Sequence, residues 1–242
     1  MMKILITNDD GIASPALPRL TEWASRHGEV TVVAPSVEQS GKSQAIDFHR
    51  SVEIKRVTLD GGLEVWSMDS SPADCVRFGV TGLGSQYDLV ISGINRGYNL
   101  GDDIAYSGTV GAIFEAARLG IKAIALSTDV DSFDNAFAEL DSTYAFIMDN
   151  QLFHDADLLN VNFPTSPAKG IVITQQGGMF YSDEFVYCGD NMYMQVGEPV
   201  KSDSDDLSVD INAIRNGYVS ISPLTAVKTD HKAYEKLKSL RA

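Results

Sequence analysis

The chain has 242 residues, of which 44% are hydrophobic and 21% charged, and its formal net charge is -14 from 33 acids against 19 bases. This length and composition are typical of one globular α/β domain with a sizeable core, and they exclude a chain that is disordered throughout. A surface this acidic repels polyanions, so we expect no nucleic-acid polymer as a partner. A small phosphorylated ligand is still compatible, because a bound divalent cation reverses the local field.

The cysteines and the N-terminal residues indicate the compartment. Cys75 and Cys188 form no CxxC pair and no zinc pattern, so we expect two reduced thiols. Residues 1–7 lead directly into a predicted strand without a cleavage site after an apolar stretch, and we expect no signal peptide. No apolar run reaches the roughly 20 residues that a membrane span needs. Together these features predict a cytoplasmic protein with no membrane partner.

The chain begins with alternating predicted strands and helices. Apolar runs bounded by turn residues predict strands, and cap-plus-proline patterns followed by an apolar stripe predict helices. Ser14-Pro15 is such a helix start, with Ser14 as N-cap and Gly28 closing the helix. The predicted elements, in chain order, are strand 3–7, helix 14–28, strand 30–34, helix 71–83, strand 88–92, helix 109–119, strand 122–127, helix 133–149 and strand 158–162.

This alternation predicts a three-layer α/β fold with a mostly parallel, Rossmann-like sheet, because a strand–helix–strand unit of this length places its two strands in parallel. After about residue 165 the pattern changes. Short strands are predicted at 171–174, 185–187 and 192–196, then a helix over 203–216, a strand over 218–222 and a terminal helix over 231–240.

The strands at 185–187 and 192–196 predict an antiparallel β-hairpin that projects from the core, because the turn sequence Cys188-Gly189-Asp190-Asn191 separates them. This hairpin is rich in methionine and tyrosine, which are enriched at interfaces and favour packing between subunits. We expect a single domain over 1–242, of which about 165–242 contributes a hairpin and helix arm for oligomerisation.

Oxygen-bearing side chains follow the predicted parallel strands where each strand ends. In sheets of this kind, ligands bind outside the carboxyl ends of the strands. The strand-end segments are 8–10, 35–40, 93–95 and 127–128, and none contains a histidine. The ionisable residues Asp9 and Asp10 stand side by side in the first of them.

Two neighbouring carboxylates repel each other unless a cation or a shared proton relieves them. A hard divalent cation with oxygen ligands is the natural solution at Asp9 and Asp10. The alternative is structural, since Asn8-Asp9-Asp10-Gly11 is a good turn sequence in its own right. Their position at a strand end favours the metal site.

Residues 92–111 are dense in glycine and lead into the predicted helix at Thr109. A glycine-rich loop that feeds a helix N-terminus is typical of an anion site, with free N–H groups and the helix dipole facing the anion. Ser107 and Thr109 would add hydroxyl donors. There is no Walker A and no GxGxxG pattern, and the alternative is an irregular loop with an ordinary cap. Ser40-Gly41 offers a hydroxyl and backbone N–H groups, although alone it is a common loop sequence.

Several segments resemble the survival protein SurE family of 5′/3′-nucleotidases, and the resemblance covers nearly the whole chain. These segments are Lys3-Ile-Leu-Ile-Thr-Asn-Asp-Asp-Gly-Ile12, Val32-Val-Ala-Pro35 followed by Ser40-Gly41, Ser71-Pro-Ala-Asp-Cys-Val76, Ser92-Gly-Ile-Asn-Arg-Gly-Tyr-Asn99, Tyr106-Ser-Gly-Thr-Val-Gly-Ala112, Asn160-Val-Asn-Phe-Pro164 and Gly217-Tyr-Val-Ser-Ile-Ser-Pro-Leu224.

The resemblance implies hydrolysis of nucleoside 5′- and 3′-monophosphates. It implies one magnesium or manganese ion per subunit, held by Asp9, Asp10, Ser40 and Asn95, with Asp9 and Asp10 as catalytic residues. It also implies homodimers or homotetramers that exchange a C-terminal arm. We expect the phosphate and the rest of the substrate to be bound by Asn8, Ser40, Gly41, Asn95, Asn99, Ser107, Gly108 and Thr109.

Five positions depart from the family pattern, the first being Ser43, where the family often carries a second glycine. Ser70-Ser71 stand where the family usually has Gly-Thr, and Gln175 and Gly178 lie where it often has arginines. The loss of an arginine changes contacts to phosphate or base, so these changes bear on substrate preference.

Two other functions are compatible with the residues: an aspartyl-phosphate phosphatase with Asp9 as nucleophile, and a nucleotide-binding regulatory module without turnover.

Overall fold

The computed structural model describes residues 1–201 and 204–240. Its strands are β1 Met2–Thr7, β2 Gly28–Pro35, β3 Ile54–Thr58, β4 Glu64–Met68, β5 Leu89–Arg96, β6 Lys122–Thr128, β7 Leu158–Asn162, β8 Ile171–Ile173, β9 Glu184–Gly189, β10 Met192–Val196 and β11 Val219–Leu224. The α-helices are α1 Ala16–Ser25, α2 Pro72–Arg77, α3 Gly108–Arg118, α4 Asp134–Asp149, α5 Leu152–Asp155, α6 Asp210–Arg215 and α7 His231–Leu237.

Nine of these strands form one sheet in the order β3-β4-β2-β1-β5-β6-β7-β11-β8. The strands from β4 to β7 pair in parallel, and β3 and β11 pair antiparallel to β4 and β7. The parallel strands place their carboxyl ends at one edge, with β1 and β5 at the centre of the sheet. The predicted α/β fold with a mostly parallel sheet is confirmed.

The sheet separates two apolar cores, which makes the fold three layers deep. Alternate residues of β1 point to opposite faces, so Ile4 and Ile6 pack with α1 and α4, whereas Leu5 packs with α2 and α3. The strands are buried on both faces and therefore appear as continuous apolar runs in the sequence. No helix in the described ranges has the length and apolar character of a membrane span.

The first helix differs from its prediction at both ends. It begins at Ala16, Pro15 is the N-cap residue, and no side chain caps it. The hydroxyl of Ser14 lies instead 3.5 Å from Asp10 Oδ2. Gly28 does not close the helix but begins β2, where a Cβ atom would lie 2.3 Å from the carbonyl oxygen of Met2. The glycine is needed for the close approach of two strands.

The predicted helix over 71–83 is confirmed in part. Ser71 caps α2 by accepting a hydrogen bond from Asp74 N at 3.1 Å, with Pro72 at the first helical position. The helix then widens into a π-helical turn over Phe78–Gly82, closed by the bond from Leu83 N to Phe78 O at 2.9 Å. A widening of one residue in the hydrogen-bond spacing leaves no trace in an apolar pattern.

Several elements were not predicted. Strands β3 and β4 lie in a stretch for which the sequence indicated no element, and β3 is a half-exposed edge strand with charged residues. The short helix α5 was missed as well. Strand β5 extends to Arg96 with a register shift between Ser92 and Asn95, and a 3-10 helix spans Gly101–Ala105, so the segment 92–111 is more ordered than predicted.

The C-terminal part contains the predicted hairpin, formed by β9 and β10 around a turn in which Asp190 and Asn191 have φ of 50 and 58. The helix predicted over 203–216 is shorter: α6 begins at Asp210, and residue 203 lies outside the described residues. Before it, Ser208 donates to Asp206, a local turn that competes with helix. The terminal helix α7 is confirmed, ending at Leu237.

One buried carboxylate ties the arm to the domain. Asp210 is 1% exposed, and its oxygens accept hydrogen bonds from the backbone N–H groups of Gly101 at 2.9 Å, Gly177 at 2.8 Å and Ile211 at 2.7 Å. Gly101 starts the 3-10 helix that precedes α3, and Gly177 starts the approach to the hairpin. Asp210 therefore fixes the base of the arm against the loop that leads to α3.

Replacement of Asp210 by alanine should destabilise the protein strongly, because it leaves buried N–H groups without acceptors. Each unpaired buried group costs about 1–3 kcal/mol, so we expect a loss of about 2–5 kcal/mol in the free energy of unfolding. Urea denaturation would measure it. Asp205→Ala, at an exposed position of the same segment, is the control. Equal small losses for both variants would refute this role of Asp210.

Candidate active site

The site begins at the turn that ends β1. Asn8 shapes this turn with its side chain: Nδ2 donates to Gly11 O at 2.9 Å, and Oδ1 accepts from Gly11 N at 3.2 Å. Gly11 has φ +83, and a Cβ atom there would lie 2.9 Å from the carbonyl carbon of Val37. Asn8 was predicted to contact substrate, and here it holds the turn that presents Asp9 and Asp10.

Asp9 lies at the N-terminus of α3 and is 3% exposed. Its Oδ2 accepts a hydrogen bond from Thr109 N at 3.2 Å, and its Oδ1 accepts one from the Thr109 hydroxyl. A Cβ atom on Gly108 would lie 3.0 Å from Asp9 Cβ, so a larger residue here would require Asp9 to shift by a few tenths of an ångström. Burial raises the pKa of Asp9 and the Thr109 hydrogen bonds lower it, while the charge of Glu38 raises it further.

Asp10 is more open than Asp9. Its Oδ2 accepts a hydrogen bond from Arg96 N at 3.3 Å. Partial burial, followed by the charge of Asp9, raises the pKa of Asp10 to about 6. Asp10 also lines a cleft of about 200 Å³ together with Ser14, Glu38 and Arg96. Asp10 is therefore the carboxylate of the pair that water and small ligands can reach.

Ser40 and Gly41 lie in the exposed loop after β2, close to the pair. Gln39 N donates to the backbone oxygen of Asp9 at 2.7 Å, which holds this loop against the end of β1. The hydroxyl of Ser40 donates to Glu38 Oε1 at 2.7 Å. The structure thus brings Ser40 to the same edge of the sheet as Asp9, as the strand-end argument predicted.

Asn95 lies at the end of β5, next to the residue that contacts Asp10. It is 9% exposed, and its Nδ2 donates to Gly97 O at 2.7 Å. Asn99 lies deeper. Its Nδ2 donates to Ser127 Oγ at 2.8 Å, and its carbonyl oxygen accepts from the Asn160 and Asn162 side chains. In this arrangement Asn99 holds β6 through its side chain and β7 through its backbone against the loop that follows β5.

The start of α3 consists of its N-cap and its first two helical residues, which are Ser107, Gly108 and Thr109. Ser107 is the N-cap and accepts a hydrogen bond from Val110 N at 3.0 Å. Thr109, expected to donate to phosphate, donates through both its N–H and its hydroxyl to Asp9. Through Thr109, the N-terminus of α3 therefore faces the carboxylate of Asp9.

Two residues near the pair were not singled out from the sequence. Glu38 adds a third negative charge that raises the pKa of both Asp9 and Asp10. Arg96 contributes its backbone N–H to Asp10, while its guanidinium donates to Val130 O at 2.9 Å. Glu38 falls within the strand-end segment 35–40, so its place in the sequence could have identified it as a candidate site residue. Nothing in the sequence indicates a backbone N–H donor.

Four of the positions that depart from the family pattern form hydrogen bonds with residues other than Asp9 and Asp10. Ser70 donates to Asp74 Oδ2 at 2.6 Å, and Ser71 caps α2. Gln175 pairs through its backbone with residues 208–210, and Gly178 O accepts a hydrogen bond from Asp102 N at 3.0 Å. The last two positions therefore lie on the path from the domain to the hairpin.

The donor set suits a hard divalent cation. Within residues 1–201 and 204–240 no group of three or more His, Cys, Asp or Glu side chains is arranged to hold a metal ion. The candidate ligands are two carboxylates, Asp9 and Asp10, and the neutral oxygens of Ser40 and Asn95. Hard cations take such all-oxygen sets, and positive charge here would offset the burial and the charges of Asp9 and Glu38 that raise the pKa of Asp10.

Fold and site together define a doubly wound α/β protein with an acidic site at the carboxyl edge of its parallel strands, where ligands of this class bind. The chain belongs to the survival protein SurE family, whose sequence model matches residues 4–183.

Relatives and a solved structure agree with this membership. The chain is 41% identical to the 5′-nucleotidase SurE of Citrifermentans bemidjiense, over 98% of each chain. It is 39% identical to the 5′-nucleotidase SurE of Pelotomaculum thermopropionicum, over 99% of this chain and 95% of that one. The crystal structure of the SurE protein from Aquifex aeolicus superposes with a TM-score of 0.80 at 34% identity, covering 98% of both chains.

Thr109→Val should lower the free energy of unfolding by about 1–3 kcal/mol, because it removes one of the hydrogen bonds to the buried Asp9 carboxylate at little change in volume. Urea denaturation at neutral pH is the measurement. Thr58→Val, at an exposed strand position, serves as the control. If Thr109→Val is no more destabilising than the control, the Thr109–Asp9 contact does not stabilise the site.

Proposed function

We propose that the protein is a metal-dependent phosphomonoesterase that hydrolyses nucleoside 5′- and 3′-monophosphates to a nucleoside and phosphate. The names of its full-length relatives support the coarser class of 5′-nucleotidase. The observation that carries the proposal is the Asp9–Asp10 pair, one carboxylate fixed by the N-terminus of α3 and the other open to a cleft.

Asp9, Asp10, Ser40 and Asn95 would hold the cation, which is magnesium or manganese. When bound, a divalent cation supplies positive charge for a phosphoryl oxygen and makes water more acidic. Hydrogen bonds within the chain orient the proposed ligands before an ion binds. Those of Thr109 fix the orientation of Asp9, and that of Gln39 fixes the loop that carries Ser40. A ligand set held in place in this way loses little conformational entropy when it binds an ion.

Water, and not Asp9, is the nucleophile in this proposal. A nucleophilic carboxylate needs an oxygen that is free to attack phosphorus, and an aspartyl-phosphate enzyme would have to use Asp9 in this role. Both oxygens of Asp9 accept hydrogen bonds from Thr109, and the side chain is almost fully buried. This arrangement favours direct attack by water over a covalent phosphoenzyme.

Asp10 is the residue placed to accept the proton of the attacking water, because it is the more open carboxylate of the pair. The water oxygen forms a bond to phosphorus as the bond from phosphorus to the nucleoside oxygen breaks, and that oxygen takes a proton from solvent. The N-terminal end of α3, beginning at Ser107, directs a partial positive charge toward the same edge of the sheet and favours the charged transition state.

A regulatory module that binds nucleotide without turnover fits these residues less well. Three acids, Asp9, Asp10 and Glu38, lie at the place where phosphate would bind, and burial together with the charges of Asp9 and Glu38 raises the pKa of Asp10. Such a cluster repels a phosphate unless a cation is present, and a cation beside water and phosphate favours hydrolysis.

Homodimers or homotetramers formed through the C-terminal arm are also part of this proposal. The hairpin exposes large apolar side chains, which isolated hairpins in monomers do not usually present to water. Those on β9 and β10 are Phe185 at 66% exposed, Val186 at 41%, Tyr187 at 58%, Met192 at 65%, Tyr193 at 61% and Met194 at 57%. Their burial against a second copy would contribute to assembly.

Asp9→Asn should reduce phosphate release from AMP to background at saturating magnesium, because the pair loses a charged ligand. Far-UV circular dichroism should show an unchanged fold, since an amide fits the same space. Chelation of wild-type protein with EDTA should have the same effect and be reversed by excess metal. Asp60→Asn, at an exposed turn, is the control. Near-wild-type turnover by Asp9→Asn would refute the assignment.

Manganese binding gives a measurement that does not depend on turnover. A ligand that binds only the folded state at 100 times its Kd stabilises it by about 2.7 kcal/mol. We therefore expect manganese to raise the unfolding temperature of the wild-type protein and to have little effect on Asp10→Asn. An equal rise for both proteins would place the ion elsewhere.

A double variant of the hairpin, Tyr193→Ser with Met194→Ser, should shift the protein toward smaller assemblies, because it removes exposed apolar surface. Sedimentation velocity at several concentrations is the measurement. Phe48→Ser changes an exposed aromatic residue outside the arm and should leave the assembly unchanged. Identical sedimentation of the wild type and the double variant would exclude the hairpin as the contact.

A further inference from the structure

A second cleft lies beside the acidic pair, between the end of the 3-10 helix and the base of the hairpin. Its volume is about 550 Å³, within the range typical of small-molecule sites. Its lining residues are Gly41, Asp103, Tyr106, Tyr181, Asp183, Gln195, Val196 and Gly197.

Two of the lining residues adjoin residues of the proposed site of hydrolysis in the chain. Gly41 follows Ser40 directly, and Tyr106 precedes Ser107, the N-cap of α3. The two sides are joined, because Ser43 N donates to Tyr106 O at 3.0 Å. A molecule whose phosphate lies at the Asp9–Asp10 pair can therefore extend into this cleft.

The walls of the cleft are held in place. Tyr181 N donates to Asp103 Oδ2 at 3.0 Å, which fastens the base of the hairpin to the 3-10 helix. Ser182 N donates to Glu198 O at 2.9 Å, which extends the hydrogen bonding between the two arms of the hairpin toward the domain. Ordered walls on both sides are typical of pre-formed binding sites.

The chemistry of the lining fits a neutral aromatic group that carries hydrogen-bond donors. Tyr106 and Tyr181 expose 63% and 38% of their surface, so aromatic surface is available for stacking. Asp103 and Asp183 can accept hydrogen bonds, and Gln195 Nε2 donates to Asp183 Oδ1 at 3.1 Å. Two carboxylates disfavour a second phosphate here, whereas ribose hydroxyls and base amino groups donate to them.

Two other clefts fit this role less well. The cleft at Asp10 has about 200 Å³, below the range of small-molecule sites and sufficient for an ion or a phosphate group. A cleft of about 420 Å³ that includes Asp157 and Leu158 lies at the start of β7, at the opposite edge of the sheet from the acidic pair.

From these observations we propose that the cleft between Tyr106 and the hairpin base binds the nucleoside part of the substrate, with the base stacked on Tyr106 and with donors of the ribose or base directed to Asp183. The inference depends on the proposed function for the identity of the substrate. It gives the base of the hairpin a role in substrate recognition in addition to its proposed role in assembly.

The test compares AMP with ribose 5-phosphate, which lacks only the base, in the wild type, Tyr106→Leu and Asp183→Ala. The loss of one base–aromatic stack should lower the ratio of kcat/KM for AMP to that for ribose 5-phosphate about tenfold in Tyr106→Leu. Asp183→Ala should raise the KM for AMP with little change in kcat. Tyr234→Leu replaces an exposed tyrosine on α7, outside the cleft, and is the matched control.

Binding of adenosine, measured by saturation-transfer NMR, separates the two proposals because it needs no turnover. Adenosine should bind the wild type and Tyr234→Leu but not Tyr106→Leu. Unchanged ratios and unchanged adenosine binding in both cleft variants would overturn the assignment of the cleft. If the wild type releases no phosphate from either ester, the proposed function fails, and loss of adenosine binding in Tyr106→Leu still supports the nucleoside cleft.

Discussion

The contact between the Asp9 carboxylate and the start of α3 is the constraint on which the rest of the site depends. A helix N-terminus attracts negative charge, and here both donors of Thr109 point at one buried carboxylate. Because Gly108 has no side chain, the helix can approach Asp9 closely. This contact joins the central strand of the sheet to the helix on its face, so the position of Asp9 follows from the packing of the domain.

Once Asp9 is fixed, its neighbours have little freedom. Asp10 follows it on the turn held by Asn8 and Gly11, and backbone donors from β5 and from the loop after β2 meet the same edge. Burial, and then the charges of Asp9 and Glu38, raise the pKa of Asp10, and this group of three acids suits a hard cation. The site thus combines one rigid carboxylate, suited to holding charge, with one open carboxylate, suited to contact with water.

The C-terminal arm is connected to this site more closely than a projecting hairpin suggests. Asp210 joins the loop before α3 to the segment before the hairpin, and Asp103 accepts a hydrogen bond from Tyr181 at the hairpin base. The base of the arm is therefore hydrogen-bonded to the residues that lead into α3. The same arrangement builds the cleft that we assign to the nucleoside, so in our proposals recognition and assembly would share one structural element.

The sequence alone determined the alternation of buried strands and helices, the Ser71 cap and the strand-end position of Asp9 and Asp10, because these depend on local patterns of apolar residues, caps and turns. It missed β3, whose half-exposed edge position weakens the pattern, and it overestimated the length of the helix before Asn216 because the turn at Asp206 and Ser208 delays the start of that helix to Asp210. Only the tertiary structure decided that Thr109 donates to Asp9 and that Asn99 holds neighbouring strands. These contacts join residues up to 100 positions apart, and such pairings are set by how the elements pack and not by local sequence.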